Sequence, residues 1–163
     1  MATETIPPDV KFEGVVPILR VEDLKKSIEY YVTVLGFKID WNYERVIASV
    51  SRGGCGLFLS QGDQGHSGSW VWIGVDDVEP LFDEYRARGA RVRHPPTNYA
   101  WALEMQIEDL DGNVLRIGSD NRIDQPIGEW LDMSGRRWVK SPEGGWMRAE
   151  SFGSSARNAM SWK

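Results

Sequence analysis

The sequence predicts an α+β fold of two tandem βαβββ modules, forming a curved mixed sheet around a cleft, with a tryptophan-rich β extension behind them. Three observations carry this. The order strand, helix, three strands occurs twice. The copies match in register, RVEDLKKSIEYY…LGFKI over GVDDVEPLFDEY…RGARV, with Glu22-Asp23 over Asp76-Asp77. Each copy has one helix, enough to cover one face of its sheet, so the opposite faces are left to line a cleft.

The elements follow in order. Residues 1–13, acidic and broken by Pro7-Pro8, read as a flexible arm with none of the basic-then-apolar pattern of a secretory signal. VVPILRV, 15–21, alternates as a strand, with Pro17 marking an edge or bulge. In EDLKKSIEYYVTVLG, Leu24, Ile28, Tyr31 and Leu35 recur at helical spacing, acids fill the first turn and Gly36 closes the helix. FKIDWNY, ERVIASVSR and CGLFLS are three strands, with Arg52-Gly53-Gly54 a turn. The first module spans 14–60 and QGDQGHSG, 61–68, is a linker by composition. The second module, 69–119, runs through strand SWVWIGV, helix DDVEPLFDEYRARG, short strand ARVRH, loop PPTNYA, and strands WALEMQIED and NVLRIG. Asp111-Gly112-Asn113 is a turn and lacks the other ligands of a calcium loop. Beyond 120, Trp130, Trp138 and Trp146 recur between turn residues. This extension, 120–163, reads as two or three short strands that pack on the domain or its dimer mate, or as a lid, with a frayed end.

Composition narrows the function classes. Hydrophobic residues are 41% and charged residues 26%, a globular profile with no membrane-length apolar run. One cysteine, Cys55, excludes an internal disulfide framework and fits a reducing cytoplasm. Net charge is -5 and the arginines are interleaved with acids, which argues against a nucleic-acid partner. Eight tryptophans invite a ligand pocket or an interface.

The paired modules, closed by EDLDGNVLRIG, resemble the glyoxalase/bleomycin-resistance/extradiol-dioxygenase superfamily, and within it the bleomycin-resistance branch, over residues 14–119. The resemblance implies the fold just derived and a dimer whose grooves hold a drug. Enzymes of the superfamily hold a divalent metal on His, Glu or Gln. Carried over by register, those positions are Val16, Phe58, Trp70 and Arg116, none of which suits a cation. The resemblance therefore implies no metal, no cofactor and a binding protein rather than a catalyst.

The expected function is metal-independent binding of a small molecule, bleomycin-like or otherwise aromatic, in an aromatic-lined cleft of a homodimer. The alternative is a lyase, isomerase or dioxygenase of the same superfamily. The expected ligand-binding residues are Phe58, Trp70, Trp72, Tyr99, Trp101, Glu104 and Arg116. Trp70 and Trp72 oppose the aliphatic row Val71, Ile73 and Val75 and so share a face. Arg116 opposes Leu115 and Ile117; it either pairs with Glu104 or meets a ligand, and a charge in such a strand needs one or the other. Glu104 is the weak candidate for a general base, with no partner apparent in the sequence. His66 and His94 read as exposed loop residues, and Cys55 as a small buried apolar one.

Overall fold

The computed structural model describes residues 11–125 and 127–128, and the backbone alone of 130–131, 137–140 and 146–148. Most of the expected N-terminal arm and the expected frayed end lie outside the described residues.

The chain is α+β and carries the paired modules. The first holds β1 (Ile18–Arg20), α1 (Leu24–Thr33), β2 (Lys38–Tyr43), β3 (Ile47–Arg52) and β4 (Cys55–Ser60). The second holds β5 (Trp70–Gly74), α2 (Val78–Ala87), β6 (Arg91–Asn98), β7 (Leu103–Glu108) and β8 (Val114–Ser119). Each module makes one four-stranded sheet in the same order, β1-β4-β3-β2 and β5-β8-β7-β6. The first and last strands of each module are parallel and the other pairs antiparallel, so both sheets are mixed. Beyond them, β9 (Trp130–Leu131), β10 (Arg137–Lys140) and β11 (Trp146–Arg148) form a three-stranded antiparallel sheet.

The helices start where the repeat predicts. Asp23 and Asp77 are equivalent, and each accepts a backbone N–H of its helix's first turn, from Lys26 and Glu79 at 3.1 Å. Gly36 and Gly89 follow the helices in the left-handed region, φ 71° and 75°, where a side chain would be strained. Both helices and the inner faces of both sheets share one core, with Tyr31, Leu35, Tyr85, Leu59, Met105 and Leu115 all buried in it.

Polar contacts fasten one module to the other. Asp109, 1% exposed, accepts four bonds: from Tyr31 Oη (3.0 Å), Asn113 Nδ2 (2.8 Å) and the Asp111 and Asn113 amides (2.9 and 2.8 Å). Asp111 accepts from the Glu22 amide and Ser27 Oγ, and Asn113 Nδ2 donates to the Arg20 carbonyl. The Asp-Gly-Asn turn expected from sequence is thus also an intermodule clasp. Burial raises the Asp109 pKa above the ordinary carboxylate value, and its hydrogen bonds only partly offset that. At the opposite end, Arg52 bonds Glu84 at 2.7 Å and the Leu35 carbonyl at 2.7 Å.

Two boundaries differ from expectation. The strand ARVRH does not stop at Pro95-Pro96: β6 continues to Asn98. It is an edge strand whose register shifts twice around the prolines, which is where a sheet tolerates a residue with no N–H. The strand expected over 15–21 shortens to three residues, with the Pro17 carbonyl still accepting the Phe58 amide.

Candidate functional site

The second sheet turns Leu115, Ile117, Met105 and Ile107 into the core and leaves its other face open. Strand register assembles that face. Trp72 pairs with Arg116, Arg116 with Gln106, Gly74 with Gly118, and Gly118 with Glu104. The period of two in each strand puts these residues on one side, with Trp70 beyond them.

Trp72 is the centre of the face. A Cβ at Gly74 would lie 3.0 Å from its ring, and one at Gly118 would lie 3.4 Å away. The indole therefore lies flat over two residues that have no side chain, and it is 60% exposed. Its Nε1 donates to Glu104 Oε1 at 3.3 Å. The other oxygen of Glu104 accepts from Arg116 Nε and Nη2 at 2.9 and 2.7 Å. Of the two readings of Arg116, pairing with Glu104 is realised. Both Glu104 oxygens are engaged by donors, an arrangement unsuited to accepting a substrate proton. The Glu104 side chain is 5% exposed and that of Arg116 35%, so the acid lies beneath and the guanidinium above.

Tyr99 and Trp101 stack at 4.9 Å with their planes 3° apart, Tyr99 buried and Trp101 exposed. Burial raises the Tyr99 pKa, with the Glu104 charge adding to the effect. Trp70, also exposed, lies under the Arg93 guanidinium at 5.4 Å. Arg93 in turn meets Glu108 at 3.2 Å.

Phe58 stands elsewhere, on the first sheet. Its ring meets Trp41 edge-on at 5.1 Å, beside Asp40, which accepts from Ser49 and Ser51. Phe58 pairs with Ile18 as Arg116 pairs with Trp72, so Phe58 and Arg116 occupy equivalent places in the repeat. Sequence reasoning missed Trp41. FKIDWNY alternates Phe37, Ile39, Trp41 and Tyr43 with polar residues and reads as a strand, but the meeting of Trp41 with Phe58 spans the intervening β3, where Ser49 pairs with both. Arg93 was also missed, grouped with the solvated arginines around it.

The expected cleft is an open face in the single chain. Cavities of about 500 and 510 Å³ lie where the modules meet, one beside Phe37, Cys55, Leu81 and Tyr85, the other beside Arg20, Gln61 and Asp111. Neither is lined by an expected ligand-binding residue. His66 lies in an exposed loop, whereas His94 is half-buried within β6, its Nδ1 2.8 Å from the Pro95 carbonyl. It was assigned to a loop because the prolines were read as ending the strand. Cys55 is half-buried rather than fully buried.

A superfamily metal does not fit these residues. Val16, Phe58 and Trp70 offer no donor atom and Arg116 offers only N–H groups. Among the described residues, no three of His, Cys, Asp and Glu are grouped to hold an ion. Among the described residues, no helix is long and apolar enough to cross a membrane.

Tandem βαβββ modules, with an aromatic sheet face left open, define a class of fold. The chain belongs to the Glyoxalase/Bleomycin resistance protein/Dioxygenase superfamily, whose family model matches residues 14–117. Among similar solved structures is the bleomycin-binding protein of bleomycin-producing Streptomyces verticillus, complexed with copper(II)-bleomycin. It is 27% identical, with 69% of this chain and 99% of that one covered and a TM-score of 0.59. TnmS3, an antibiotic binding protein from Streptomyces sp. CB03234, is 22% identical, with 69% and 99% covered and a TM-score of 0.60. TioX from Micromonospora sp. ML1 is 20% identical, with 66% and 98% covered and a TM-score of 0.57. The last two likenesses speak for the fold. No protein of curated function matches the chain.

Proposed function

We propose that this protein binds a small molecule with a planar aromatic part on the open face of the second sheet, without a metal, and that it acts by sequestering that molecule. The observation that carries this reading is the flat, 60% exposed Trp72 ring, fixed over Gly74 and Gly118. An indole held rigid in a solvent-exposed position is a stacking surface. The bleomycin-binding relative, at 27% identity, supports an antibiotic as ligand and bleomycin as the first to try. Sequestration requires affinity and no chemistry, which agrees with a site in which the carboxylate beside the ring is already bonded to Trp72 and Arg116.

A sheet face exposing Trp70 and Trp72 needs a cover, and the proposed cover is a second copy. The first sheet exposes Ile39, Trp41 and Tyr43 beside Phe58. One copy's first sheet set against the other's second sheet would give a groove walled by Phe58 and Trp41 on one side and Trp72 on the other. Phe58 would thereby join the remaining ligand-binding residues across the dimer.

The test is a bleomycin titration of metal-analysed protein, followed by tryptophan fluorescence, with the mass in solution measured alongside. Expected are a dimer, no stoichiometric divalent ion and saturable quenching near one drug per groove. Trp72→Ala should weaken binding about tenfold, the equivalent of 1.4 kcal/mol. One tightly held divalent ion per chain, or no response to the drug, would sink the proposal.

A further inference from the structure

We infer that the site selects planar ligands carrying a hydrogen-bond acceptor, a carboxylate above all, and disfavours their cationic counterparts. This rests on the binding role proposed above and specifies the ligand's chemistry.

The chain's net charge of -5 argues the other way on its face. Exposed charges more than about 8–10 Å away are largely screened at physiological salt, so the local arrangement decides. Locally, positive and negative groups are equal in number but unequal in access. The Glu104 side chain is 5% exposed and sits under Trp72 and Arg116, both of which donate to it. Arg116 is 35% exposed, and its Nη1 makes no hydrogen bond among the described residues. The guanidinium thus turns one edge to Glu104 and keeps a free N–H edge, on the residue that pairs with Trp72 across the sheet. The second pair on this face repeats the asymmetry, Arg93 being 48% exposed over Trp70 and Glu108 33%. A ligand ring stacked on Trp72 therefore meets donors at its rim and no free carboxylate.

The arrangement also explains how an arginine can serve an anion without being committed to one. Its charge is balanced by Glu104 when the site is empty, so no uncompensated cation is left partly buried. Nε and Nη2 are occupied, and Nη1 is the part left to recognise a ligand. A carboxylate beside the stacked ring would take a charge-assisted hydrogen bond from it, and an ammonium there would face a donor.

The experiment compares 2-naphthoate with 2-naphthylmethylammonium by isothermal titration calorimetry on the full chain, at pH 7 and low salt. The ring is common to both, so the ratio of affinities isolates the rim. The naphthoate should bind about tenfold tighter or more, as one charge-assisted bond warrants, and the ratio should shrink as salt is raised. The double variant Glu104→Gln/Arg116→Gln removes both charges together and so avoids a lone buried carboxylate. In it both probes should still bind and the ratio should fall to about 1. Equal affinities, tighter binding of the ammonium, or a preference that survives in the double variant would overturn the inference while leaving the stacking site intact. Binding of neither probe would overturn both the inference and the role on which it rests.

Discussion

Adding one methyl group at Gly74 and at Gly118 should have opposite consequences, although both glycines lie beneath the same indole. Neither has a positive φ, so alanine introduces no backbone strain, and the stiffer unfolded chain alone would stabilise by about 0.4–1 kcal/mol. The difference lies in what the new Cβ meets. At Gly74 it would come within 3.0 Å of the outer atoms of the Trp72 ring, with no other atom beyond its chain neighbours within 4 Å, and that ring is 60% exposed, so the added methyl can push it outward into solvent. Lifting lengthens the 3.3 Å bond from Nε1 to Glu104, a loss of about 0.5–1.5 kcal/mol, so the net change in stability should be within about 0.5 kcal/mol of zero. At Gly118 the Cβ would come within 3.1 Å of Glu104 Cγ. That side chain is 5% exposed and pinned by two bonds from Arg116, so it cannot yield cheaply. Overpacking of about 1–3 kcal/mol then outweighs the entropic gain, leaving Gly118→Ala destabilised by roughly 1–2 kcal/mol. In urea, followed by circular dichroism so that altered indoles do not bias the signal, a loss near 1.5 kcal/mol lowers the midpoint by about 0.5–1.5 M. Both variants should bind an aromatic ligand less well, since both tilt the ring. An unchanged midpoint for Gly118→Ala, or an equal drop for Gly74→Ala, would refute this account of the floor.

Other outcomes follow from the contacts between and beyond the modules. Asp109→Asn keeps an acceptor for the two backbone amides but turns an NH₂ toward Asn113 Nδ2, itself a donor, and should cost about 2–4 kcal/mol in denaturant unfolding. The Glu84 pKa is held below its ordinary 4.5, first by the hydrogen bond from Arg52, so its pair contributes stability above pH 4.5 that is lost as pH falls through the lowered value. Both partners are about a third exposed, so the gain is about 1 kcal/mol or less, and Glu84→Gln should lose less stability than the parent between about pH 5 and pH 3. Asn98 accepts the Arg122 amide and donates to the Arg122 and Gln125 carbonyls. Asn98→Ala should therefore speed tryptic cleavage after Arg122 with little effect on cleavage in the core modules, which gel electrophoresis or mass spectrometry would read directly.

The repeat was legible because each half carries the same punctuation at the same spacing. Asp23 and Asp77 cap, Gly36 and Gly89 close, and the aliphatic rows between them bury. Trp70, Trp72, Glu104 and Arg116 were placed on one face by strand parity alone, because β5, β7 and β8 are regular in register. Parity failed where register slips. The two shifts in β6 hid how His94 and the prolines continue a strand, whereas Trp41 lies in a clean alternation and was passed over because its contact with Phe58 is made across a third strand. The role of Asp109 was not legible for a different reason. Its four donors come from its own loop and from Tyr31, 78 residues away, and a distance of that kind leaves no local pattern. Nor could sequence show that Gly74 and Gly118 form the floor under Trp72, because a glycine in a strand reads first as a weakness.

The bond from Trp72 to Glu104 has a consequence for speed and breadth of capture. A side chain that must be ordered on binding costs about 0.5–1.5 kcal/mol, and this indole is ordered beforehand by its own sheet. The surface is therefore preorganised, with no rotamer to select and no loop to close before a ring can settle on it. Association should be limited by encounter and orientation alone, and the complex should gain its discrimination at dissociation. A protein that removes a toxic molecule by holding it benefits from that order of events: almost any flat ring is sampled quickly, and only one with a suitable rim stays.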